Sequence, residues 1–362
     1  MFMKQKMKIA VGMSGGVDST ITAFLLKKGG FDVIGLTMKI WDENPLIKGR
    51  NSGCYGPSAT KNIKEAKKAA KMLGIPHCVV DLRKDFNKNI LNYFKKEYQK
   101  GKTPNPCIVC NAKMKFGLLL EKALKSGIKF DYFATGHYAK IGFDKKNKFY
   151  FLKKGADKTK DQSYFLYGLK QNQMKKIILP LGDKKKKDIK KLAIQNGFKE
   201  FANKKESQNF IGCDSYSTLL PQGKSGFIVD YKGKILGKHQ GISHYTLGQR
   251  KNLNIGGLPE PYYVLKINPR TNSIIIGPRN LAFSDFVRVK KINWIVPFNL
   301  IKNKEIQAKI RYGSKSEKAG FVKKTKNSAI VKFKKPQFAI TPGQSIVFYD
   351  KNLVLGGGII AG

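Results

Sequence analysis

Ser14-Gly15-Gly16-Val17-Asp18-Ser19 is the stretch that decides the fold of the first half of this 362-residue chain. Residues 7–13 before it are mostly apolar, as in a strand, and residues 20–26 after it carry apolar side chains at helical spacing. A strand, a glycine turn and a helix bring several backbone N–H groups to the positive end of a helix, where phosphate binds. The turn lacks the G-x-x-x-x-G-K-[S/T] pattern of a Walker loop, so it predicts a phosphate site of another kind.

The hexapeptide resembles the pyrophosphate-binding signature of the PP-loop ATPases, which split ATP into AMP and pyrophosphate to activate a carbonyl oxygen. This resemblance implies that Ser14, Gly15, Gly16, Val17, Asp18 and Ser19 surround the pyrophosphate of ATP. It also implies that Asp18 lies near a Mg²⁺ ion. By itself the hexapeptide leaves the acceptor open, because amidotransferases, synthetases and RNA thiolases share it.

The charge of the chain is far from balanced. Lysine and arginine total 70 against 24 acidic residues, which gives a formal net charge of +46. A field of this size attracts polyanions and favours a nucleic-acid partner. The alternative is a lysine-rich composition that only covers solvated faces.

Targeting signals and a disulfide framework are not indicated by the sequence. No apolar stretch approaches the roughly 20 residues of a membrane-spanning helix. Lys4, Lys6 and Lys8 interrupt the apolar residues at the start, unlike a signal peptide. Five cysteines are too few and too irregularly spaced for a disulfide framework in a chain of this length. We therefore expect a cytoplasmic protein with reduced thiols and no membrane partner.

Strand and helix patterns alternate in the first half of the chain, which predicts a mostly parallel sheet with helices on both faces. From about residue 225 short strands with glycine and proline turns follow, and the C-terminal part has the pattern of a small antiparallel barrel. We predict three domains: residues 1–205 for ATP binding, catalysis and a basic helical part that binds nucleic acid, residues 206–281 for a central β domain, and residues 282–362 for a barrel.

A second strong signal is Thr103-Pro104-Asn105-Pro106-Cys107-Ile108-Val109-Cys110-Asn111. Its prolines stiffen a segment that holds a C-x-x-C. Two thiols at this spacing ligate a metal or a cluster, or act as a redox pair. The alternatives are two unrelated buried cysteines and a structural zinc, although no second C-x-x-C or histidine cluster completes four zinc ligands.

With the turn at residues 14–19, this motif resembles the tRNA-specific 2-thiouridylases, and the resemblance extends nearly from end to end. The blocks that carry it, in the family order, are Lys160-Asp161-Gln162-Ser163-Tyr164-Phe165-Leu166, Lys205-Glu206-Ser207-Gln208, Gly237-Lys238-His239-Gln240-Gly241, Tyr245-Thr246-Leu247-Gly248-Gln249-Arg250-Lys251, Pro261-Tyr262-Tyr263-Val264 and Leu355-Gly356-Gly357-Gly358. The fold it implies is an α/β N-terminal domain with a parallel sheet (PP-loop ATPase, adenine nucleotide alpha hydrolase-like), a small β domain and a C-terminal antiparallel β-barrel.

The resemblance also implies a reaction. ATP adenylates O2 of the wobble uridine in certain tRNAs, a protein-borne sulfur attacks C2, and AMP leaves as 2-thiouridine forms. Met38 and Gly136 would line the adenosine side of the ATP site. The target base must leave its stack to react. The basic stretch Lys184 to Lys191 and the barrel would bind the phosphate backbone. Further RNA contacts are implied at Lys160, Gln162, Tyr245, Gln249 and Arg250.

The cysteines depart from the family pattern in two places. The family has an aspartate where Cys107 stands, three residues before the catalytic cysteine that Cys110 matches. The second family cysteine would stand at Ile211, and the nearest thiol, Cys213, lies two positions later. In a persulfide scheme the second cysteine carries the terminal sulfur and later forms a disulfide with the first. The expected partners are tRNA and a source of sulfur, which is either a donor protein or sulfide.

Cys107, Cys110 and Cys213 also resemble the three-cysteine set of iron–sulfur RNA thiolases, where three thiolates hold a [4Fe–4S] cluster with one open iron. Both sulfur schemes stay open from the sequence. Cys54 is either a sulfur relay or an ordinary loop thiol.

Three other functions compete with tRNA 2-thiolation. A PP-loop synthetase or amidotransferase with a small substrate would leave the C-x-x-C, the charge and the barrel unexplained. An RNA-binding protein without catalysis would not need the intact turn at residues 14–19. A thiolase paralogue with another RNA, using a cluster, is consistent with the altered cysteines.

Overall fold

The computed structural model describes residues 6–45, 47, 53–204, 209–212, 216–301 and 305–361. These residues fall into two compact units. Unit 1 takes its residues from Met1–Ile90, Cys107–Asp214 and Asn352–Val354, and unit 2 takes them from Leu91–Pro106, Ser215–Lys351 and Leu355–Gly362. Cys213 and the predicted block 205–208 lie outside the described residues.

The strands of unit 1 are β1 Lys8–Gly12, β2 Asp32–Lys39, β3 Gly53–Tyr55, β4 His77–Asp81, β5 Tyr132–Ala134, β6 Ala139–Asp144, β7 Phe149–Lys154, β8 Ile177–Ile178 and β9 Asn209–Ile211. The α-helices of the chain are α1 Val17–Lys28, α2 Ser58–Leu73, α3 Arg83–Phe86, α4 Asn92–Gln99, α5 Pro106–Val109, α6 Leu119–Lys125, α7 Ser163–Leu166, α8 Gln171–Met174, α9 Lys186–Gln195 and α10 Lys199–Ala202. Two π-helical stretches, Asn87–Leu91 and Cys110–Leu118, join α3 to α4 and α5 to α6.

The predicted parallel sheet is present in unit 1 with the strand order β4-β2-β1-β5-β8. Its central strand β1 is completely buried at Ile9, Ala10 and Val11, because helices cover both faces of a parallel sheet. The chain order reverses on the two sides of β1, since β2 and β4 lie on one side and β5 and β8 on the other. Ligands of such sheets bind at the carboxyl ends of the strands beside this reversal.

Helix α2 shows how the sequence pattern becomes packing. Its buried face consists of Ala59, Ala66, Ala69, Ala70 and Leu73, which recur at helical spacing. Small alanines bring a helix close to the neighbouring layer, and the helix ends at Gly74, where φ is +56°.

The sequence analysis missed several elements of unit 1, among them a hairpin and a π-helical stretch. Strands β6 and β7 form an antiparallel hairpin, with Ala139 opposite Lys154 and Asp144 opposite Phe149. Its lysine-rich turn has none of the short glycine signals that mark a hairpin. Asp144 stabilises the turn instead, since its carboxylate accepts hydrogen bonds from the backbone N–H groups of Lys146 and Asn147 at 3.0 Å each. The π-helical stretch at Cys110 was not predicted either.

Unit 2 contains two β structures. The first has the strands β10 Gly226–Asp230, β11 Ile235–His239, β12 Tyr262–Asn268 and β13 Ser273–Pro278, in the order β11-β10-β13-β12 around a core of Ile228, Val264, Ile274 and Ile276. The second has the strands β14 Phe283–Trp294, β15 Ile306–Lys309, β16 Glu317–Lys324, β17 Ser328–Phe338, β18 Ser345–Asp350 and β19 Leu353–Ile360. They form the predicted antiparallel barrel, although β16 was not predicted.

The barrel closes where β19 pairs with β14, in the order β14-β17-β16-β15-β18-β19. Val289 lies opposite Ile360, and Trp294 lies opposite Gly356. A Cβ at Gly356 would lie 2.5 Å from the backbone oxygen of Asn293, and its φ is +157°. Glycine is therefore required at this bend of the closing strand. Among the described residues, no helix is long and apolar enough to span a membrane.

Candidate active site

The turn between β1 and α1 is braced by hydroxyl groups. The Ser19 hydroxyl accepts a hydrogen bond from the Ser14 N–H at 3.2 Å and donates one to the Gly16 carbonyl at 3.0 Å. Gly16 is the N-cap of α1 and has no side chain with which to cap the first turn. The first N–H groups of the helix are therefore available to an anion.

Gly15 is required by space as well as by conformation. Its φ is +72°, and a Cβ would collide with the backbone oxygen of Asn62 and lie 2.8 Å from the Cβ of Glu65, both in α2. The Lys204 ammonium donates hydrogen bonds to the Gly15 carbonyl at 3.1 Å and to the Asn62 side chain at 2.9 Å. Burial lowers the pKa of Lys204. A lysine that the sequence analysis did not single out thus supports the turn.

Asp18 is held by Tyr138, which the sequence analysis did not single out, and by Lys186, which it expected to contact the RNA backbone within the stretch Lys184 to Lys191. The Lys186 ammonium lies 2.8 and 2.7 Å from the two carboxylate oxygens, and the Tyr138 hydroxyl donates a hydrogen bond to Oδ1 at 2.8 Å. Only 8% of the Lys186 side chain is exposed. One signal was available in the sequence: Lys186 shares helical spacing with Ile189 and Ala193, and all three form the buried face of α9.

Segment 135–138 follows β5 and contacts the turn directly. A Cβ at Gly136 would lie 2.8 Å from the carbonyl carbon and from the Cβ of Asp18, so the two backbones approach as closely as a glycine permits. The Tyr138 N–H donates to the Gln162 side chain at 3.0 Å, and the Gln162 N–H donates to the Tyr138 carbonyl at 2.9 Å. Gln162, predicted to contact RNA, therefore positions this segment.

The predicted thiols lie at a helix junction. Pro106 begins α5, a position that suits proline. Cys107 is the second residue of α5, and Cys110 begins the π-helical stretch. Both side chains are half-buried. Burial raises the pKa of each thiol to about 12, while the Lys115 ammonium acts in the opposite direction. The Gln173 amide stabilises the stretch by donating to the carbonyls of Ala112 at 2.9 Å and Phe116 at 2.7 Å.

His137 connects the thiols to segment 135–138. Its Nδ1 lies 2.7 Å from the Thr135 hydroxyl, and its ring centroid lies 5.7 Å from that of Phe116 in the π-helical stretch. Burial and the nearby Lys115 ammonium lower the pKa of His137 well below its ordinary value. Cys110 and Phe116 belong to the same π-helical stretch, so this stretch links the thiols to segment 135–138 in unit 1.

The other predicted residues are spread over both units. Met38 is half-buried near the carboxyl end of β2, opposite Val80. In unit 1, Lys160 is half-buried and donates its N–H to the Asp157 carbonyl at 3.1 Å. In unit 2, Arg250 is exposed and therefore available to a ligand.

Two predicted RNA contacts in unit 2 have internal roles. Tyr245 is only 9% exposed and packs with His239 in the core, so its ring face is not accessible for stacking on a base. The Gln249 amide holds its own turn, since it accepts from the Thr246 N–H at 3.1 Å and donates to the Lys251 carbonyl at 3.0 Å. Both residues therefore have partners within unit 2, and their contact with RNA stays a prediction.

The predicted metal sites can be compared with the donors present. Asp18 is the residue expected beside Mg²⁺. Both of its carboxylate oxygens accept hydrogen bonds from the Lys186 ammonium, and Oδ1 also accepts one from the Tyr138 hydroxyl. Within the described part of the chain, no group of three His, Cys, Asp or Glu side chains is arranged to hold a metal ion. Cys213, the third expected ligand of a cluster, lies outside that part. The described donors therefore do not complete an iron–sulfur site.

Three sequence families match successive parts of the chain. The family described as "tRNA methyl transferase HUP domain" matches residues 7–213, "tRNA methyl transferase PRC-barrel domain" matches residues 218–278, and "Aminomethyltransferase beta-barrel domain" matches residues 284–360. The first match alone covers more than half of the chain.

Curated relatives match over nearly the whole length. The "tRNA-specific 2-thiouridylase MnmA 2" of Thermoanaerobacter sp. (strain X514) is 46% identical, with 98% of this chain and 97% of the relative covered. The "tRNA-specific 2-thiouridylase MnmA" of Endomicrobium trichonymphae is 45% identical, with 99% and 100% covered. The protein of the same name from Acetivibrio thermocellus is 43% identical, with 98% and 99% covered. The structure has both the phosphate turn and the thiols that this family name implies. Because the identity is 43–46% over nearly the whole length, the chain belongs to the tRNA-specific 2-thiouridylase family.

Proposed function

We propose that this protein forms 2-thiouridine in tRNA in an ATP-dependent reaction, by adenylating O2 of the wobble uridine and replacing it with sulfur. One observation carries the proposal: segment 135–138 contacts both the phosphate turn and the neighbourhood of the thiols. Gly136 and Tyr138 contact Asp18, and His137 lies beside Phe116 and under the influence of Lys115. A carbonyl oxygen activated at the turn is thereby within the same site as a sulfur nucleophile.

In the adenylation step the turn at residues 14–19 binds the pyrophosphate of ATP through the N–H groups of α1. The Lys186 and Lys204 ammonium groups lie beside this turn and neutralise phosphate charge that develops as the bond to the α-phosphate breaks. Mg²⁺, when bound near Asp18, supplies further charge neutralisation. Tyr138 orients the Asp18 carboxylate through its hydroxyl.

The tRNA is bound by the positive surface of the chain. Unit 1 has an open cavity of about 560 Å³ lined by Ala156, Asp157, Lys158, Thr159, Lys185, Lys186 and Lys187. Lys158, Lys185 and Lys187 are exposed there, and three ammonium groups around one concave surface suit a backbone phosphate. With a net charge of +46, the molecule attracts tRNA from any direction of approach.

The sulfur is carried by thiols in this proposal. A persulfide needs only cysteine side chains, and Cys107 and Cys110 lie in the site. Among the described residues, no donor set completes an iron–sulfur site. A persulfide donor protein supplies the sulfur, because sulfide would need an oxidant to form a persulfide. The reaction takes place in the cytoplasm, where thiols stay reduced.

The test uses the full-length protein, ATP, Mg²⁺, a sulfur source and unmodified tRNA with a wobble uridine. Asp18→Ala should reduce 2-thiouridine formation by about 10²-fold or more, because transition-state charge is no longer organised at the turn. Affinity for tRNA should stay within about twofold of wild type, since the exposed Lys158, Lys185 and Lys187 keep their charge.

Mass spectrometry of the nucleosides and filter binding of tRNA provide the two measurements. Asp188→Ala is the matched control, because Asp188 is an exposed aspartate of α9 and lies outside the site. An Asp18→Ala protein that thiolates tRNA at near wild-type rate would show that the turn does not activate the uridine. A wild-type protein that leaves the wobble uridine unchanged with every sulfur source would refute the proposed function.

A further inference from the structure

The peptide between Met13 and Ser14 joins β1 to the phosphate turn, and hydrogen bonds hold it on both sides. Its N–H, which belongs to Ser14, donates to the Ser19 hydroxyl at 3.2 Å. Its carbonyl, which belongs to Met13, accepts a hydrogen bond from the Thr37 hydroxyl of β2 at 2.7 Å. The N–H and C=O of a trans peptide point in opposite directions, so these two partners fix the rotation of the peptide plane. The catalytic scheme above has no role for Thr37.

Thr37 is in turn held by His77, which begins β4. The Nε2 atom of His77 lies 2.8 Å from the Thr37 hydroxyl oxygen. A carbonyl oxygen can only accept a hydrogen bond, so the single hydroxyl proton of Thr37 is directed to Met13. The Thr37 oxygen therefore accepts from His77, and this requires the proton of the neutral ring to reside on Nε2.

The other ring nitrogen is consistent with this tautomer. Among the residues that the structure describes, Nδ1 of His77 is buried and has no hydrogen-bond partner. A proton on Nδ1 would be a buried donor without an acceptor, which costs its desolvation free energy. Burial and the nearby Lys67 ammonium lower the pKa of His77, so the ring is neutral at physiological pH.

Gly35 provides the space for this ring. It lies opposite His77 in the parallel pairing of β2 with β4, two residues before Thr37 on the same strand. Side chains at this spacing share one face of the sheet. A Cβ at Gly35 would lie 2.9 Å from Cδ2 of His77 and 2.6 Å from the sulfur of Met13. The ring therefore lies directly against the backbone of β2, within reach of the Thr37 hydroxyl.

These hydrogen bonds form one continuous chain in which every group donates to the next. Its members, in order, are the His77 Nε2–H, the Thr37 hydroxyl, the Met13–Ser14 peptide, the Ser19 hydroxyl and the Gly16 carbonyl. Hydrogen bonds that run in one direction polarise and strengthen each other. The chain begins at the ring and ends at the N-cap residue of α1, where the phosphate is expected.

We infer that His77 is a positioning residue of the phosphate turn, which acts through Thr37 to set the Met13–Ser14 peptide and thereby the N–H groups that bind pyrophosphate. This inference rests on the proposed function, since it names a residue that orders the ATP site. The ring itself does not touch the nucleotide in this role. Its contribution is to leave the Thr37 hydroxyl with one orientation, so that the turn is formed before ATP binds.

The first test determines the tautomer by NMR at neutral pH on protein labelled with ¹⁵N-histidine. The chain has four histidines, and His77→Gln identifies the signals of His77 by their loss. Couplings to the carbon-bound ring protons distinguish Nδ1 from Nε2, and the nitrogen chemical shifts show which of the two carries the proton. We expect the proton on Nε2. A proton on Nδ1 overturns the inference.

The second test measures the affinity for ATP by equilibrium dialysis with labelled ATP and Mg²⁺, without tRNA. His77→Leu keeps apolar volume but has no donor, and it should raise the dissociation constant about tenfold. His77→Gln offers an amide N–H in place of Nε2–H and should stay within about threefold of wild type. His244→Leu is the control, because it replaces a half-buried histidine of unit 2, and it should leave the constant unchanged.

Two comparisons separate positioning from a general loss of structure. A variant that folds poorly loses ATP sites per chain, but the remaining sites keep their dissociation constant, whereas a displaced turn raises the constant at full stoichiometry. Thr37→Val breaks the same chain of hydrogen bonds, so adding His77→Leu to it should change the constant less than about twofold. An unchanged constant in His77→Leu, or full additivity of the two substitutions, overturns the inference.

Neither test contains tRNA, so the results are separate from that of the proposed function. If the expected tautomer and affinities are found and wild-type protein leaves tRNA unmodified, the proposed function is wrong and the role of His77 stands. If wild-type protein thiolates tRNA and His77→Leu binds ATP as tightly as wild type, only the role of His77 is wrong.

Discussion

Replacement of Lys186 by methionine removes the ammonium that pairs with Asp18 and leaves most of the side-chain volume in place. The pair is short, at 2.7 and 2.8 Å, and the two side chains are 8% and 30% exposed. Breaking a fully buried pair costs about 3–5 kcal/mol, and breaking an exposed pair costs about 0–1 kcal/mol. Because the Asp18 carboxylate is partly solvated and keeps the Tyr138 hydroxyl, we expect a loss of about 2 kcal/mol in the free energy of unfolding.

The measurement needs a probe that reports unit 1 alone. The chain has two tryptophans, Trp41 in unit 1 and Trp294 in unit 2. In a Trp294→Phe background, urea-induced unfolding followed by fluorescence therefore reports the environment of Trp41. A double-mutant cycle of Lys186→Met with Asp18→Asn then isolates the interaction of the pair, which we expect to be about 1–2 kcal/mol.

Lys190→Met is the control, because Lys190 is an exposed lysine of the same helix and carries the same charge. Its effect on stability should stay within about 0.5 kcal/mol. In the thiolation assay, Lys186→Met should reduce the rate about 10²-fold, since Asp18 is no longer held in position. A coupling energy below about 0.5 kcal/mol, with activity equal to that of Lys190→Met, would refute the assigned role of Lys186.

Three further outcomes are expected. Gly136→Ala should lower the free energy of unfolding by about 1–3 kcal/mol and slow ATP-dependent pyrophosphate release, because the added methyl lies 2.8 Å from the Asp18 backbone. A variant that is as active and as stable as wild type would contradict this contact. Cys107→Asp should retain substantial thiolation and contain no iron, as a persulfide route requires, whereas loss of both bound iron and activity would favour a cluster. The affinity for tRNA should fall about 10³-fold or more between 50 and 200 mM salt if six or more phosphates are contacted. An affinity measured by filter binding that barely changes with salt would favour a surface that is rich in lysine but does not bind RNA specifically.

Much of the fold could be predicted from the sequence because neighbouring residues determine it. The turn at residues 14–19 combines a strand, a glycine with positive φ and a helix within one short stretch, and the structure has all three. Pro106 and the C-x-x-C spacing likewise concern adjacent residues at a helix start. The barrel was predicted from short strands between turns, and the hairpin β6–β7 was missed because its turn has no strong local signal.

The residues that complete the site could not be predicted in the same way. Lys186 is one of 70 basic residues, and its partner Asp18 lies 168 positions away in the chain. Gln162 and Tyr245 appear in family blocks, yet the structure uses Gln162 to hold the Tyr138 backbone and Tyr245 to fill a core. A match to a family motif shows that the chain shares this residue with the family. It does not show whether the side chain faces a ligand.

The sequence by itself indicated the reaction class, because the phosphate turn and the C-x-x-C occur together with the blocks that resemble the 2-thiouridylase family. Only the tertiary structure decided which lysine pairs with Asp18 and that Gly136 contacts the same aspartate. The physical reason is that electrostatic and packing partners act through space. A chain folded into a parallel sheet brings the ends of distant strands together, and no local pattern records which residues will meet there.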